Sequence, residues 1–345
     1  MSATTPGHVD PRAWAADFWQ RHRRTFWILH SLWALMTGTV VLWLAHERYG
    51  FVPWVVGFLG LTWLSTLFFS RRGLRDDEGD RPARFRQEVA SYLTRIMYQE
   101  TLFFLLPFYS YSTVFPSWNV LFPLVLAILA VLACLDLVFD RWLRESPVFG
   151  LVFFASVSFG ALNLLLPMLL SIGPDIATPA AALIAIASAV PIAVRGEIPS
   201  LRSWLLAGLA AIVLLDVAIR LPQLVPPVPL RLEQVTFARD LDRTTLETTG
   251  DVSGVADIAT LPDGLVVVAT VFAPSNVPAT VALDWYRDGT LIRSSRDVAI
   301  TAHADGFRFW EALRPATVPL TPGRYRVILR TTDDRVFGTA GIELR

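Results

Sequence analysis

Seven runs of about twenty apolar residues occupy the first two thirds of this 345-residue chain. A helix needs about 20 such residues to cross the hydrocarbon core of a bilayer. Residues of the AVILMFWYC set make up 53% of the chain and charged residues 17%. Soluble globular domains have about 45–50% apolar residues even when glycine is counted, and about 25% charged residues. The pattern predicts a seven-helix transmembrane domain over residues 26–221, with spans at 26–45, 51–70, 96–115, 119–139, 147–170, 176–194 and 203–221.

Arginine placement predicts the orientation of these spans. The chain has no lysine, and fifteen arginines lie in residues 1–25 and in the loops after the second, fourth and sixth spans, against Arg48 alone in the opposite loops. Basic residues concentrate in cytoplasmic loops. We therefore expect the N-terminal segment 1–25 in the cytoplasm, as an interfacial helix or a basic tail. An odd number of spans then places everything after Leu221 on the outer side of the membrane.

Ionisable residues inside the predicted spans suggest one candidate site. Glu100, Asp136 and His30 fall at similar depth near the cytoplasmic side, with Asp140 and Tyr98 beside them. Such residues are costly in a bilayer and face protein or water. They predict a polar pocket that binds a cation or relays protons.

The alternative interpretation is that these acids are neutralised by arginine. Arg95 and Arg141 each lie five residues from one of the carboxylates, where interfacial ion pairs fix helix register. In the last span, Asp216 and Arg220 have the i,i+4 spacing of an ion pair. Asn163 is expected to form an interhelical hydrogen bond.

Several chemistries are excluded by composition. Without lysine there is no P-loop lysine and no Schiff base. Cys134 is the single cysteine, and the five histidines are scattered, so neither an internal disulfide nor a paired metal motif is present. We expect no cofactor and no metal. The mixed-charge loop 71–86 lacks the stacking aromatic residues of a nucleic-acid site.

A different pattern begins after a proline-rich linker at 222–229. Residues 230–345 show strand-like alternation and a hairpin signal, Asp288-Gly289. About seven strands are expected, which suits an all-β immunoglobulin-like sandwich on the outer side. Four aromatic residues offer either a binding face or core packing: Trp285, Tyr286, Trp310 and Tyr325.

Two parts of the chain carry family resemblances. The membrane half resembles the bacterial multi-span family catalogued as domain of unknown function 5924, in the segments YQETLFFLLPFYSYS and PPVPL. The β region resembles the module catalogued as domain of unknown function 2914, in the segments DWYRDGTLI, FRFWEAL and TPGRYRVILRTTDDRVFGTAGIEL. Tyr325 and Asp284 replace a tryptophan and a histidine of that module's pattern. Neither resemblance implies an activity.

These observations favour a non-enzymatic function. We expect a polytopic inner-membrane protein whose periplasmic β domain recognises an envelope protein or glycan. The alternative is a transporter or ion-coupled pathway that uses Glu100 and Asp136. In both cases the lipid bilayer is the expected partner of the helices.

Overall fold

The structure of the protein is a computed structural model that describes residues 81–135, 147–193, 201–273, 277–300 and 306–345, with isolated helical positions between 29 and 64. A helical half precedes a β domain, and each has its own apolar core. The two halves meet along a buried junction.

The helical half contains five α-helices within the described residues. Their sequences are largely apolar, and several have a proline at the N-terminus, which pre-sets the first helical turn. The helices are α1 (Arg81–Tyr111), α2 (Leu121–Cys134), α3 (Pro147–Leu170), α4 (Pro174–Ala193) and α5 (Leu201–Arg220). The short connectors at 112–120 and 171–173 both lie at the end of the helices that faces the β domain. The two helices that each connector joins therefore run in opposite directions.

The predicted seven-helix transmembrane bundle is wrong. Among the described helices one alone, at Val148–Leu170, is long and apolar enough to cross a membrane, with a mean hydropathy of 2.0. At 1.5 Å per residue, the 14-residue helix α2 extends only about 21 Å, short of the roughly 30 Å of a bilayer core. The predicted spans at 26–45 and 51–70 lie outside the described residues, apart from isolated positions.

Helix α3 is the centre of the helical core, and this explains its hydropathy. Of its apolar window, 72% is buried inside the protein, as expected for a helix that is hydrophobic on all sides. A hydropathy window cannot distinguish an apolar surface that faces lipid from one that faces other helices. Three small side chains of α4 recur every four residues and are buried, Ala181, Ala185 and Ala189, as expected for a helix that packs closely against its neighbours.

The β domain has ten strands in the described residues. They are β1 (Arg231–Leu241), β2 (Thr248–Val252), β3 (Val255–Ala256), β4 (Leu265–Phe272), β5 (Ala279–Arg287), β6 (Thr290–Ser294), β7 (Val298–Ile300), β8 (Phe307–Leu313), β9 (Gly323–Thr331) and β10 (Val336–Leu344). One sheet has the order β2-β1-β4-β8; the other has the order β3-β10-β9-β5-β6, with β7 on β5. The expected β-sheet content is therefore present.

The immunoglobulin-like strand set is a second correction. The ten strands replace the expected seven, and β3 pairs parallel to β10 at Glu343 and Leu344, so the second sheet is mixed. Local alternation predicts strands but not their pairing partners. The predicted hairpin at Asp288-Gly289 is confirmed, because both residues have positive φ and Arg287 pairs with Thr290.

Candidate functional site at the junction of the two halves

The β domain is seated on one end of the helices by polar contacts to main-chain carbonyls. Ser112 Oγ, just after α1, donates to the carbonyl of Leu230 at 2.6 Å. Asn119 Nδ2, just before α2, donates to the carbonyl of Val336 at 2.7 Å. Both polar side chains are fully buried. A buried carbonyl without a partner is costly, so these contacts fix where the first and last strands start.

The chain between the halves is itself part of the junction. Residues 225–230, which include three prolines, are all buried, and a short 3-10 turn at Pro222–Leu224 precedes them. Val225 and Val228 belong to the helical core, while Leu230 belongs to the β core. The connection is therefore packed between the two cores along its length.

Arg335 is a fully buried cation of the junction. Its side chain lies directly before β10, and its Nη1 donates to Thr178 Oγ1 of α4 at 2.8 Å. Its Nη2 lies 2.7 Å from Asp333 Oδ2. No described residue accepts a hydrogen bond from Nε or Nη2, so the contact of Nη2 with Asp333 is an ion pair without hydrogen-bond geometry. A guanidinium carries five N–H donors, so this cation is only partly satisfied.

The turn that carries Arg335, which we call the interface turn (residues 331–335), is rigidly built. The amide of Thr331 donates to the carbonyl of Arg335 at 3.0 Å, and the amide of Asp334 donates to the carbonyl of Thr331 at 3.0 Å. The Thr331 hydroxyl contacts Asp333, and Asp334 adopts a left-handed φ of 61°. Asp333 and Arg335 thus leave the sheet together, as a pair held by one loop.

A buried hydrogen-bonded chain continues from Arg335 into the helices. Thr178 Oγ1 lies 2.8 Å from Asn163 Oδ1 of α3 and 2.8 Å from the carbonyl of Pro174. Asn163 Nδ2 donates to the Tyr109 hydroxyl of α1 at 3.0 Å. That hydroxyl donates to the carbonyl of Gly160 at 2.9 Å. The predicted interhelical role of Asn163 is confirmed, and the chain joins three helices to the β domain.

Arg231 lies at the edge of the junction, at the start of β1. Its guanidinium stands 5.7 Å from the ring centroid of Tyr111 and 5.4 Å from that of Phe272. Glu233 accepts a hydrogen bond from it at 2.7 Å. Burial lowers the pKa of Arg231, and the neighbouring Glu233 carboxylate opposes that shift. The residue is therefore a cation held between an aromatic residue of each half.

The residues of the predicted intramembrane pocket are only partly described. Glu100 is half-buried on α1, and the adjacent Gln99 donates to the carbonyl of Ala133 at 2.8 Å. Tyr98 packs edge-on against Phe153, with ring centroids 5.1 Å apart. Four members of the proposed set fall outside the described residues: His30, Asp136, Asp140 and Arg141. The side chain of Arg95 is also outside them, so the pocket stays a prediction.

The predicted ion pair of the last helix lies within the described residues. Asp216 and Arg220 form an exposed i,i+4 ion pair on α5, with 2.9 Å between Oδ1 and Nε.

The four predicted aromatic residues do not share one face. Trp285 and Tyr325 are buried in the β core, whereas Tyr286 and Trp310 are half-buried. Trp310 packs under the guanidinium of Arg243 at 5.4 Å. The structure therefore brings together no aromatic binding face from this set.

An open groove of about 370 Å³ lies on the flank of the β domain. It runs between β1 and β10, with the end of β2 at one side, and is lined by residues such as Val235, Thr236, Ser253, Ala340 and Gly341. In the register of the sheets, residues 231–236 of β1 pair with β4 alone, and β10 pairs with β9 alone until Glu343. Two strand edges therefore border the groove.

Sequence reasoning did not identify the interface turn. In the sequence, Arg335 follows Thr-Asp-Asp in an ordinary polar hairpin, and such residues are usually solvated. A partial signal existed in the helices, because Asn163 and Thr178 flank the connector at 171–173 at similar depth. Their contact was predictable; its extension to Arg335 depends on the β domain being docked.

The fold and this junction define a class of two-part proteins, in which an apolar helical unit holds a mixed two-sheet β domain against one end. The chain belongs to the DUF5924 family, described as a family of unknown function, whose model matches residues 11–267. The match continues past residue 230 into β1–β4, so it includes the linker and the helical side of the junction, whereas the interface turn lies beyond its end. No curated protein matches the chain.

Proposed function

We propose that this is a bacterial inner-membrane protein whose β domain recognises a component of the cell envelope, without enzymatic activity. The observation that carries the proposal is the apolar character of the outward faces of the helical half. The resemblance of the β domain to domain of unknown function 2914 is part of the proposal. The helices anchor the β domain in the bilayer.

The outward face of α5 carries large apolar side chains. Leu205, Leu209 and Ile212 lie along one side of this helix and are 57–66% exposed. A surface helix of a water-soluble protein has polar residues on that face. Helix α2 repeats the pattern with Leu124, Val125 and Ile128. Contiguous exposed apolar surface of this extent marks contact with lipid or protein, and lipid matches its lack of charge.

The direction of the helices supports a periplasmic position for the β domain. The end away from the β domain includes the first turns of α1, with Arg81, Arg84 and Arg86, and the first turn of α5, with Arg202. Basic residues favour the cytoplasmic side. The connector at 171–173, beside the β domain, contains no arginine.

Membrane location is tested by fractionation and by a reporter fusion. We expect the full-length protein to stay in the membrane pellet after alkaline carbonate washing. A reporter that is active only where disulfides form, fused after Arg345, should be active. Release by carbonate, or activity solely of a cytosolic reporter at the same position, would contradict the proposal.

Recognition is tested at the groove, which is the proposed binding site. A photoreactive residue at Ser253, on the groove, should give a discrete adduct in intact cells. The same residue at Thr290, an exposed position of β6 away from the groove, is the matched control. Equal adducts at both positions, or none at Ser253, would contradict a recognition site there.

A transport pathway is the second candidate function, and the position of Glu100 favours it. This carboxylate is half-buried on α1, directly before the apolar part of that helix, and no described side chain forms an ion pair with it. Purified protein in liposomes is expected to show a pH-dependent ion flux that Glu100→Gln abolishes. A flux unchanged by this substitution would remove Glu100 from the pathway.

A further inference from the structure

We propose that the interface turn is a two-state coupling element. With Arg335 bound to Thr178, the turn moves with the helices; with Arg335 withdrawn, the turn moves separately, while the buried linker at 225–230 and the Ser112 contact still hold the two halves together. This inference concerns the relation between the halves. It goes beyond the proposed function and does not depend on a membrane or on a ligand.

The electrostatics of the turn make both states accessible. Arg335 and Asp333 belong to the same loop, so their ion pair survives when the loop leaves the helices. Withdrawal therefore leaves no unpaired charge in the helical half, which is the usual cost of breaking a buried pair. It also exposes to water the Nε of Arg335, which has no described partner in the docked state.

The Thr178 hydroxyl is satisfied without Arg335. The Thr178 hydroxyl has one proton and two acceptors at 2.8 Å, Asn163 Oδ1 and the carbonyl of Pro174. The arginine donates to the same oxygen and occupies one of its lone pairs. When Arg335 leaves, the Thr178 hydroxyl still donates either to the carbonyl of Pro174 within α4 or to Asn163 Oδ1 of α3. Two internally satisfied arrangements are what a bistable contact requires.

The turn also connects the proposed binding groove to the helices. It ends where β10 begins, and the same strand contributes Ala340 and Gly341 to the groove. On the other side, Thr178 contacts Asn163, which contacts Tyr109. A displacement of β10 therefore reaches α4, α3 and α1 through one continuous chain of contacts.

Hydrogen exchange of the full-length protein tests this inference. The probes are the amides of Thr331, Asp334 and Arg335 in the turn, which donate within it, and the amides of β5 as a core reference. We expect Thr178→Val to raise exchange in the turn at least tenfold and to leave β5 unchanged. Thr178→Ser, which keeps the hydroxyl, should restore the original protection.

Two further variants keep the outcome decisive. Arg326→Met removes an exposed arginine of β9 and should leave the turn protected. Ser112→Ala breaks a junction contact remote in sequence from the turn and should not loosen it tenfold. The inference is overturned if Thr178→Val leaves turn exchange unchanged, if it raises exchange equally in β5, or if Ser112→Ala loosens the turn as much. None of these outcomes bears on membrane location or groove binding.

Discussion

Arg335 Nη1 lies 2.8 Å from Thr178 Oγ1, although 157 residues separate the two positions. This contact joins the residue before the last strand of the β domain to a residue one turn into α4, inside the protein. The partner carboxylate of Arg335, Asp333, comes from the β domain as well. The junction is therefore held by a cation that the β domain both supplies and neutralises, and its energetics can be tested one residue at a time.

The two members of this ion pair should have unequal effects. Asp333→Asn leaves a fully buried guanidinium without its counter-charge, which we expect to lower the free energy of unfolding by about 3–5 kcal/mol. Arg335→Met leaves a carboxylate whose side chain is 22% exposed, and removes one charged hydrogen bond, at about 1.5–3 kcal/mol. Denaturant titration of the full-length protein in one detergent measures both.

The double variant provides the control for this pair. Combining Asp333→Asn with Arg335→Met removes both charges and should recover part of the loss seen with Asp333→Asn alone. Additive losses would mean that the two side chains do not interact in the folded protein.

Tyr109→Phe tests the polar chain inside the helices. The substitution deprives Asn163 Nδ2 of its acceptor and the Gly160 carbonyl of its donor. Since buried polar groups left without partners are costly, we expect a loss of about 1–3 kcal/mol, seen as a lower midpoint of unfolding. Tyr286→Phe, at a half-buried position of β5, is the matched control and should stay within about 0.5 kcal/mol. Equal effects would argue against the chain.

Gly264→Ala should destabilise the β domain. This glycine has φ of 112°, and an added Cβ would lie 2.1 Å from the carbonyl oxygen of Leu313. We expect a loss of at least about 1–3 kcal/mol from backbone strain, with a further loss from the clash. Gly289→Ala has φ of 86° but open space around the added atom, so the difference between the two variants isolates the clash. No difference would contradict this packing.

The four predicted aromatic residues should differ in how much they stabilise the fold, according to how deeply each is buried. Trp285→Ala removes a fully buried ring that packs 6.0 Å from Phe237, and should cost about 3–5 kcal/mol. Trp310→Ala removes a half-buried ring that contacts Arg243, and its loss should be smaller. Thermal unfolding of the full-length variants compares them; a larger loss for Trp310→Ala would reverse the assignment.

Local patterns were sufficient for part of this structure. Proline and glycine placement, helical apolar runs and strand alternation predicted a helical half, a β half and the change between them near residue 230. The Asp288-Gly289 hairpin and the interhelical hydrogen bond of Asn163, though not its partners, also followed from sequence, because turn chemistry and an isolated polar residue in an apolar run are visible in a local pattern.

The surroundings of each element were decided by tertiary structure. The sequence determined that α3 is apolar, but packing determined that most of its surface meets other helices, so the count of seven membrane crossings was wrong. Alternation gave strands, but pairing across the chain produced the parallel β3–β10 contact. Arg335 became buried because its solvation depends on a helix 157 residues away; burial and electrostatic pairing are properties of chain segments brought together by folding, which a local pattern does not contain.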